Sequence, residues 1–317
     1  MHSFRVTSNK KALFLALLIV ILIFAATMPL YIQPYIIISL TSIFMYIVLT
    51  VSWAIFSAPT RYISLASASF FGTGIYVWAI LGSALPLPIV VGIGGLVSSL
   101  LALLTGLLTL RLRGLYFIIF TFGFSEFVRH SSQWWEINIS GTEGRWVVGV
   151  DHTIIYYAML ILAFLTLITA YAIRRSRFGL ALQSIGQFEE AAAHAGINVT
   201  AMKIMTFAIS AFFMGAAGAI MATRWSYIDP SIAFSPLISF MPVLMAIFGG
   251  IGQLYGHILG AGVLTILAEV LLTEFPYYYM LLFGLILLAV ILFLPHGLVG
   301  LMEKWWKGGL AGKHANT

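Results

Sequence analysis

The sequence predicts an all-α polytopic membrane protein with about ten transmembrane helices. Of its 317 residues, 61% are hydrophobic and only 8% are charged, whereas a soluble domain carries roughly 25% charged residues. The apolar residues also fall into runs long enough to cross the bilayer core, which takes about 20 helical residues. The net charge of +6 comes from residues between these runs, so we expect a lipid bilayer and no nucleic acid as partner.

The predicted spans follow one another as a single transmembrane domain, residues 1–317. We place them at about 12–32, 35–56, 62–82, 87–110, 115–129, 153–173, 204–223, 237–252, 256–274 and 278–294. The first run is longer than the apolar part of a signal peptide and has no good cleavage site, so we expect it to be an uncleaved span. Spans 62–82 and 237–252 contain glycines, and we expect them to be bent or re-entrant.

The basic residues predict the orientation of the chain. With the N-terminus inside, all but three of the 16 Lys and Arg residues lie on the cytoplasmic face, and the three outside are Arg129, Arg145 and Arg224. Cytoplasmic loops of membrane proteins carry such an excess of positive charge. We therefore expect both termini, and the polar segment 174–203, to be cytoplasmic.

The segment 174–203 is the longest polar stretch between apolar runs, and its pattern predicts two short helices. Ser176 can cap the first helix, which Gly186 interrupts. The second helix starts near residue 187 and carries Glu189 and Glu190 in its first turn, where the helix dipole favours negative charge. The plain alternative is an ordinary cytoplasmic loop with two surface helices.

The end of this segment predicts a helix stop and a new start. Ala191 and Ala192 leave little side-chain bulk, so the second helix can lie close to the backbone of a partner. Gly196 can end that helix cheaply in the left-handed conformation. Asn198 or Thr200 can then cap the next helix, which becomes a span.

The spacing of Glu190, Ala191, Ala192 and, after three more residues, Gly196 resembles the EAA loop of ABC-type importer permeases. In that family the loop docks into a groove of an ATPase subunit. The run RSRFGLAL, followed by EEAAAHAGINV, is similar to the LivM-type permeases of branched-chain amino acid importers. This chain departs from the usual pattern at Leu180, where arginine is common, and it lacks the Leu-Pro that ends the general motif.

Four further segments resemble the same family in the same order. They are SLASASFFGTGIY (64–76), RLRGLYFIIFTFGFSEFVR (111–129), AIFGGIGQLYGHILGA (246–261) and LPHGLVG (294–300). His257 stands where that family has proline; it follows a loop and is too isolated for a metal site. The resemblance covers most of the chain from residue 60 onward.

The resemblance implies a subunit that moves branched-chain amino acids, or a related amide or urea, across the inner membrane. It implies a LivH-type permease partner, two ATP-binding subunits and an external solute-binding protein. We expect no cofactor on this chain, because the sequence has no G-x-x-x-x-G-K-[ST] phosphate loop; ATP is then used by the partner subunits. We also expect no catalytic and no metal-binding residues.

The other class considered is a secondary transporter driven by H⁺ or Na⁺. Such proteins usually need carboxylates near the middle of the membrane. The spans offer only Glu126 and Glu269, and neither lies near a span centre. Glu126 and Arg129 are three residues apart, so a pair on one helix face is favoured over a role in the transport path.

The glycines within the spans have two possible roles. Gly72 and Gly74 interrupt the third span, and Gly249 and Gly250 end the eighth. Small residues allow close helix packing in lipid, which is the favoured interpretation. The alternative is that these glycines, with Glu126, line the translocation pathway as unwound backbone.

The longest external loop, 130–152, also has two compatible readings. Its tryptophans suit the boundary between membrane and water, where indole is half apolar. The alternative is a docking surface for the external solute-binding protein, with Glu136, Glu143, Arg145 and Asp151 as contacts.

Overall fold

The computed structural model describes residues 25–110, 112, 114–293 and 297–300, and most of these residues lie in α-helices. We number the helices α1 Pro34–Thr60, α2 Ser67–Leu81, α3 Leu87–Thr109, α4 Leu115–Trp135, α5 His152–Arg175, α6 Arg177–Gln187, α7 Glu189–His194, α8 Val199–Ala222, α9 Pro230–Ala233, α10 Pro236–Gly249, α11 Leu254–Glu274 and α12 Tyr279–Phe293. A 3₁₀ turn, Met28–Leu30, precedes α1, and a π-helical turn, Glu136–Ser140, follows α4.

Among the residues that the structure describes, six segments are long and apolar enough to cross a membrane. They are Pro34–Thr60, Leu87–Thr109, His152–Arg175, Val199–Ala222, Pro230–Gly249 and Leu254–Glu274. The prediction of an all-α polytopic membrane protein is therefore confirmed. The apolar helix α2 is shorter, at 15 residues. The first predicted span, 12–32, lies outside the described residues up to residue 24.

Helix α8 is the buried centre of the molecule. It packs against α3, α2 and α1, and almost all of its residues from Ile204 onward are buried or nearly so. Two glycines explain the close approach: the backbone of Gly215 touches Gly74 of α2, and Gly218 lies against the carbonyl of Phe71. Without a hydrophobic force between helices in lipid, such small-residue contacts drive their association.

A second close contact joins α10 to α11. Gly249 at the end of α10 lies against Gly256, and Gly260 lies against the carbonyl of Met245. Gly250 then has a φ of +108°, and its N–H reaches the carbonyl of Ala246 at 3.0 Å. A residue with a side chain resists that backbone conformation, so Gly250 ends α10 as expected.

Two sequence expectations about helix limits were wrong. Gly72 and Gly74 do not interrupt α2, which runs unbroken from Ser67 to Leu81. Glycine stands at these helical positions because a side chain would overlap Phe234 and Gly215. Also, α4 does not stop near Arg129. It continues to Trp135, so the irregular part of the external loop is shorter than expected.

A short antiparallel pair of β-strands includes the segment that follows α4. Residues Arg145–Trp146 (β1) pair with Tyr227–Ile228 (β2), with Arg145 opposite Ile228. This pairing ties the segment after α4 to the segment after α8. The chain between α4 and α5 is therefore held against the core.

Candidate functional site

The segment 174–203 forms the two short helices that its sequence predicts. The hydroxyl oxygen of Ser176 accepts a hydrogen bond from the Gly179 N–H at 3.2 Å and so caps α6. Gly186 does not interrupt α6, because the helix continues to Gln187. A Cβ at position 186 would overlap the carbonyl of Pro59 in α1. Glycine is there for close packing, and the break falls at Phe188, whose backbone is extended.

The two helices share a small apolar core of their own. Leu182 and Ile185 of α6 are buried together with Ala192 of α7. Ile197 and Phe178 pack around them. This core holds α7 at a defined angle to α6, so the short helix does not depend on its weak intrinsic stability.

Gly196 ends α7 in the way that the sequence predicts. Its φ is +85°, in the left-handed region. Its N–H donates to the carbonyl of Ala193 at 3.0 Å, and the N–H of Ile197 donates to Ala192 at 3.1 Å. These two bonds form a Schellman motif. Asn198 then caps α8 by accepting from the Ala201 N–H at 3.1 Å.

Glu189 turns inward, where it joins a buried polar cluster. Lys203 of α8 donates to Glu189 Oε1 at 2.8 Å, and the hydroxyl of Tyr62 donates to Oε2 at 2.7 Å. The Lys203 ammonium also donates to the Tyr62 hydroxyl at 3.0 Å and lies 4.2 Å from the ring centroid. We call Tyr62, Glu189 and Lys203 the polar clamp; it ties α7 to α8 and to the α1–α2 connection.

Sequence reasoning missed the polar clamp. It grouped Glu189 with Glu190 as surface residues, although Glu189 is largely covered and Lys203 is only 1% exposed. One signal was available: Lys203 is a lone charge about one turn inside an apolar helix. A charge in that place needs a partner, and Glu189 and Glu190 were the nearest carboxylates along the chain.

The opposite face of α7 is open. Glu190, Ala191 and Ala193 are exposed, while Ala192 is buried. An open cleft of about 500 Å³ borders the polar clamp instead, and its lining includes Tyr62, Glu189 and the exposed Phe188. An exposed acidic side chain on a smooth alanine surface is one on which another protein can dock.

The glycines proposed for the translocation pathway lie in helix contacts. Gly72 lies against Phe234, Gly74 against Gly215, and Gly249 against Gly256. Gly250 provides the left-handed turn after α10. These positions agree with the packing interpretation, and a role in the pathway stays a prediction.

The pair predicted on α4 forms. A guanidinium nitrogen of Arg129 lies 2.6 Å from Glu126 Oε2, and the two side chains are each about one-quarter exposed. His130 Nε2 is 3.9 Å from the same carboxylate oxygen. Glu126 is thus part of a partly exposed pair, and its role in a transport path also stays a prediction.

The docking interpretation of the loop 130–152 counted Glu136 as a surface contact, and this expectation was wrong. Glu136 is fully buried in the π-helical turn, where its Oε2 accepts from the Gly144 N–H at 2.8 Å and Arg145 lies 3.6 Å from Oε1. Arg145 also lies 5.0 Å from the ring centroid of Trp135. Glu136 therefore organises the loop 136–146 from within, which its place in a polar loop did not indicate.

The fold and these contacts define a multi-pass helical membrane protein. The chain belongs to the family described as branched-chain amino acid transport system, permease component, whose model matches residues 35–291. It is therefore a multi-pass protein of the inner membrane.

Two relatives match along most of the chain. The high-affinity branched-chain amino acid transport system permease protein LivM of Salmonella typhimurium is 28% identical over 299 residues, which cover 82% of this chain and 68% of that protein. LivM of Escherichia coli is 26% identical and covers 89% and 74%. The fructose import permease protein FrcC of Rhizobium meliloti is 27% identical over a shorter stretch, 44% of this chain and 41% of that protein. No solved structure matches the chain.

Proposed function

We propose that this chain is one transmembrane subunit of an ATP-driven importer for branched-chain amino acids, with a related small amide or urea as second choice. The observation that carries the proposal is the two-sided structure of α7. Glu189 anchors the helix inward to Lys203 and Tyr62, while Glu190 and Ala193 face outward. A helix that is rigidly held and exposed at the membrane surface can pass a movement of another subunit on to α8, the buried centre of the bundle.

The full assembly that we propose contains a LivH-type permease, two ATP-binding subunits and an external solute-binding protein. The support is the family and the similarity to LivH of Escherichia coli, which is 30% identical over 170 residues, half of this chain. The ATP-binding subunits would dock on α7 through Glu190, Ala191 and the exposed side of the Gly196 turn, and ATP would be bound and used there.

We further propose ten spans with both termini in the cytoplasm. The described residues supply α1, α2, α3, α4, α5, α8, the pair α9–α10, α11 and α12 as nine of them, and the run 12–32 would be the tenth. In this arrangement, α6 and α7 are cytoplasmic. The loop between α4 and α5, held by Glu136, is external and would face the solute-binding protein.

The docking experiment places a cysteine at position 193 and tests cross-linking to the proposed ATP-binding subunits. The chain has no native cysteine, so any cross-link reports this position. Ala193 is exposed and should cross-link; a cysteine at the partly exposed Gly262, within the membrane-crossing helix α11, is the control and should not. Equal cross-linking from both positions, or none from 193, would refute docking on α7.

A second readout uses charge. Glu190→Lys reverses an exposed charge and opposes the dipole of its own helix, so transport and ATPase stimulation should fall while the chain still reaches the membrane. Glu274→Lys makes the same change at the exposed end of α11 and should have no effect on ATPase stimulation. Normal ATPase stimulation in Glu190→Lys would count against a docking role.

A further inference from the structure

A cavity of about 280 Å³ lies between α1, α5, α6 and the start of α11. It differs from the open cleft beside α7, because its floor is formed by a buried histidine. Water takes up roughly 30 Å³ per molecule in the liquid, so the cavity has room for a ligand of several non-hydrogen atoms. Neither the docking role nor the translocation role proposed above uses it.

His257 is the unexplained group at this site. Its side chain lines the cavity and is 1% exposed, yet neither ring nitrogen has a hydrogen-bond partner among the described residues. The backbone of Ile251 lies near the ring and can serve one of the two ring nitrogens at most. Buried polar groups normally have partners, so His257 has hydrogen-bonding capacity to offer a ligand.

Arg174 supplies the charge at the same cavity. It is exposed at the end of α5, and one of its terminal nitrogens donates to the carbonyl of Gly252 at 2.6 Å. This bond fixes the guanidinium over the cavity and leaves its other N–H groups available. Gln183, which is exposed, also lines the cavity.

The other residues that line the cavity determine which kind of ligand it can bind. The described lining residues include no Asp or Glu, so nothing there would pair with an ammonium group. Most of the wall is aliphatic; it is made by Val51, Ala54, Ile55, Ala58, Ala170 and Leu254. One fixed cation, a neutral donor at the floor and an aliphatic wall together suit a single negative charge attached to an apolar body.

We propose that this cavity binds a singly charged oxyanion with an aliphatic portion. Arg174 binds the oxyanion through charge-assisted hydrogen bonds, His257 donates to it from the floor, and α1 covers the aliphatic part. Two sources provide this chemistry, a soluble short-chain carboxylate and the head group of an anionic phospholipid. The site joins α6 to α5 and α11, so an occupant would contact both the transmembrane bundle and the segment 174–203.

The test measures ligand binding to the full chain purified from membranes and placed in phosphatidylcholine nanodiscs. In one arm, 4-methylpentanoate is titrated by calorimetry. In the other, the nanodiscs contain phosphatidylglycerol, and native mass spectrometry counts the molecules of that lipid that stay bound. Saturable binding of the carboxylate identifies a soluble ligand, and retention of phosphatidylglycerol identifies a lipid.

Variants separate this site from general charge attraction. Arg174→Met should weaken binding roughly 10- to 100-fold, the factor expected for lost hydrogen bonds to a charged group. His257→Leu keeps the volume of the floor but removes both nitrogens, and should weaken binding by a smaller factor, about 2- to 10-fold. Arg175→Met removes the same charge one residue away, where the guanidinium stacks over Tyr171, and should leave binding unchanged.

The proposal is overturned by either of two results. One is that neither probe binds in a saturable or retained manner to the unaltered chain. The other is that Arg175→Met weakens binding as much as Arg174→Met, because the attraction would then be a property of the basic surface and not of the cavity. Neither result bears on docking at α7, which is measured by cross-linking at position 193.

Discussion

The ammonium group of Lys203 lies 2.8 Å from Glu189 Oε1, and this contact links the short helix α7 to α8, the buried centre of the molecule. Lys203 is almost completely covered, so the pair must offset the cost of removing its charge from water. The Tyr62 hydroxyl lies within 3.0 Å of the ammonium and donates to the other oxygen of Glu189, which satisfies both partners.

Breaking this ion pair should destabilise the protein more than breaking an exposed one. Lys203→Met should lower the free energy of unfolding by about 3 to 5 kcal/mol, because it leaves a partly buried carboxylate without its cation. The double variant Lys203→Met with Glu189→Gln should lose less than the sum of the single changes. Unfolding in mixed micelles provides the measurement as a double-mutant cycle.

The pair Glu126–Arg129 is the matched control for that cycle. It has a similar N–O distance, 2.6 Å, but both side chains are about one-quarter exposed. Its coupling free energy should be only about 0.2 to 0.5 kcal/mol, as for other surface pairs on one helix. Equal coupling at the two pairs would show that burial of Lys203 contributes nothing to the clamp.

Gly196 should tolerate asparagine and resist valine. Its φ of +85° costs a β-branched residue about 1 to 2 kcal/mol, whereas asparagine adopts this conformation more readily. No atom lies within 4 Å of a Cβ built there, so steric overlap is not the cause. We expect Gly196→Val to reduce ATPase stimulation and Gly196→Asn to retain most of it.

Gly262 is the control for the Gly196 variants. It also has open space around its Cβ position, but its backbone is ordinary helix. Gly262→Val should therefore be mild in the same assay. If Gly196→Val behaved like Gly262→Val, the left-handed turn would not be needed to position α7.

Gly74→Ala should destabilise the bundle by about 1 to 3 kcal/mol. An added Cβ would overlap the backbone of Gly215, and two packed helices would have to separate. Gly92→Ala in α3 has nothing within 4 Å of the added atom and should be neutral or slightly stabilising, because alanine favours helix. Thermal unfolding in detergent compares the two, and similar melting temperatures would contradict the close-packing account.

Accessibility labelling checks the proposed topology. A cysteine replacing Thr142 should react with a membrane-impermeant maleimide in intact spheroplasts, whereas one replacing Gln187 should react only after permeabilisation. Both positions are exposed, so burial does not bias the comparison. The reverse pattern would place the segment 174–203 outside and would remove the basis for docking.

Much of the helix pattern could be predicted from the sequence, because it depends on local chemistry. Apolar runs of span length, the Ser176 and Asn198 caps and the Gly196 stop each depend on a few neighbouring residues. The predicted helix limits were wrong where contacts with residues far away in the sequence determine them. Gly186 looked like a helix breaker, but Pro59, far away in the chain, makes it a packing position.

The candidate site was predictable only on its outer face. Glu190 and the alanines after it could be recognised from their spacing. The inward turn of Glu189 could not, since it depends on Tyr62, which is 127 residues away in sequence. The His257 cavity was missed for the same reason: its polar groups come from α5, α6 and α11, and no single stretch of sequence contains them.

The central claim, ATP-driven import of branched-chain amino acids, is tested most directly by transport in proteoliposomes. The chain is reconstituted with the proposed permease, ATP-binding and solute-binding partners, with ATP inside and the solute-binding protein outside. Uptake of radiolabelled leucine should require both ATP and the binding protein, and an excess of isoleucine or valine should compete where fructose and xylose do not. Leucine uptake driven by an H⁺ or Na⁺ gradient without ATP would contradict the account.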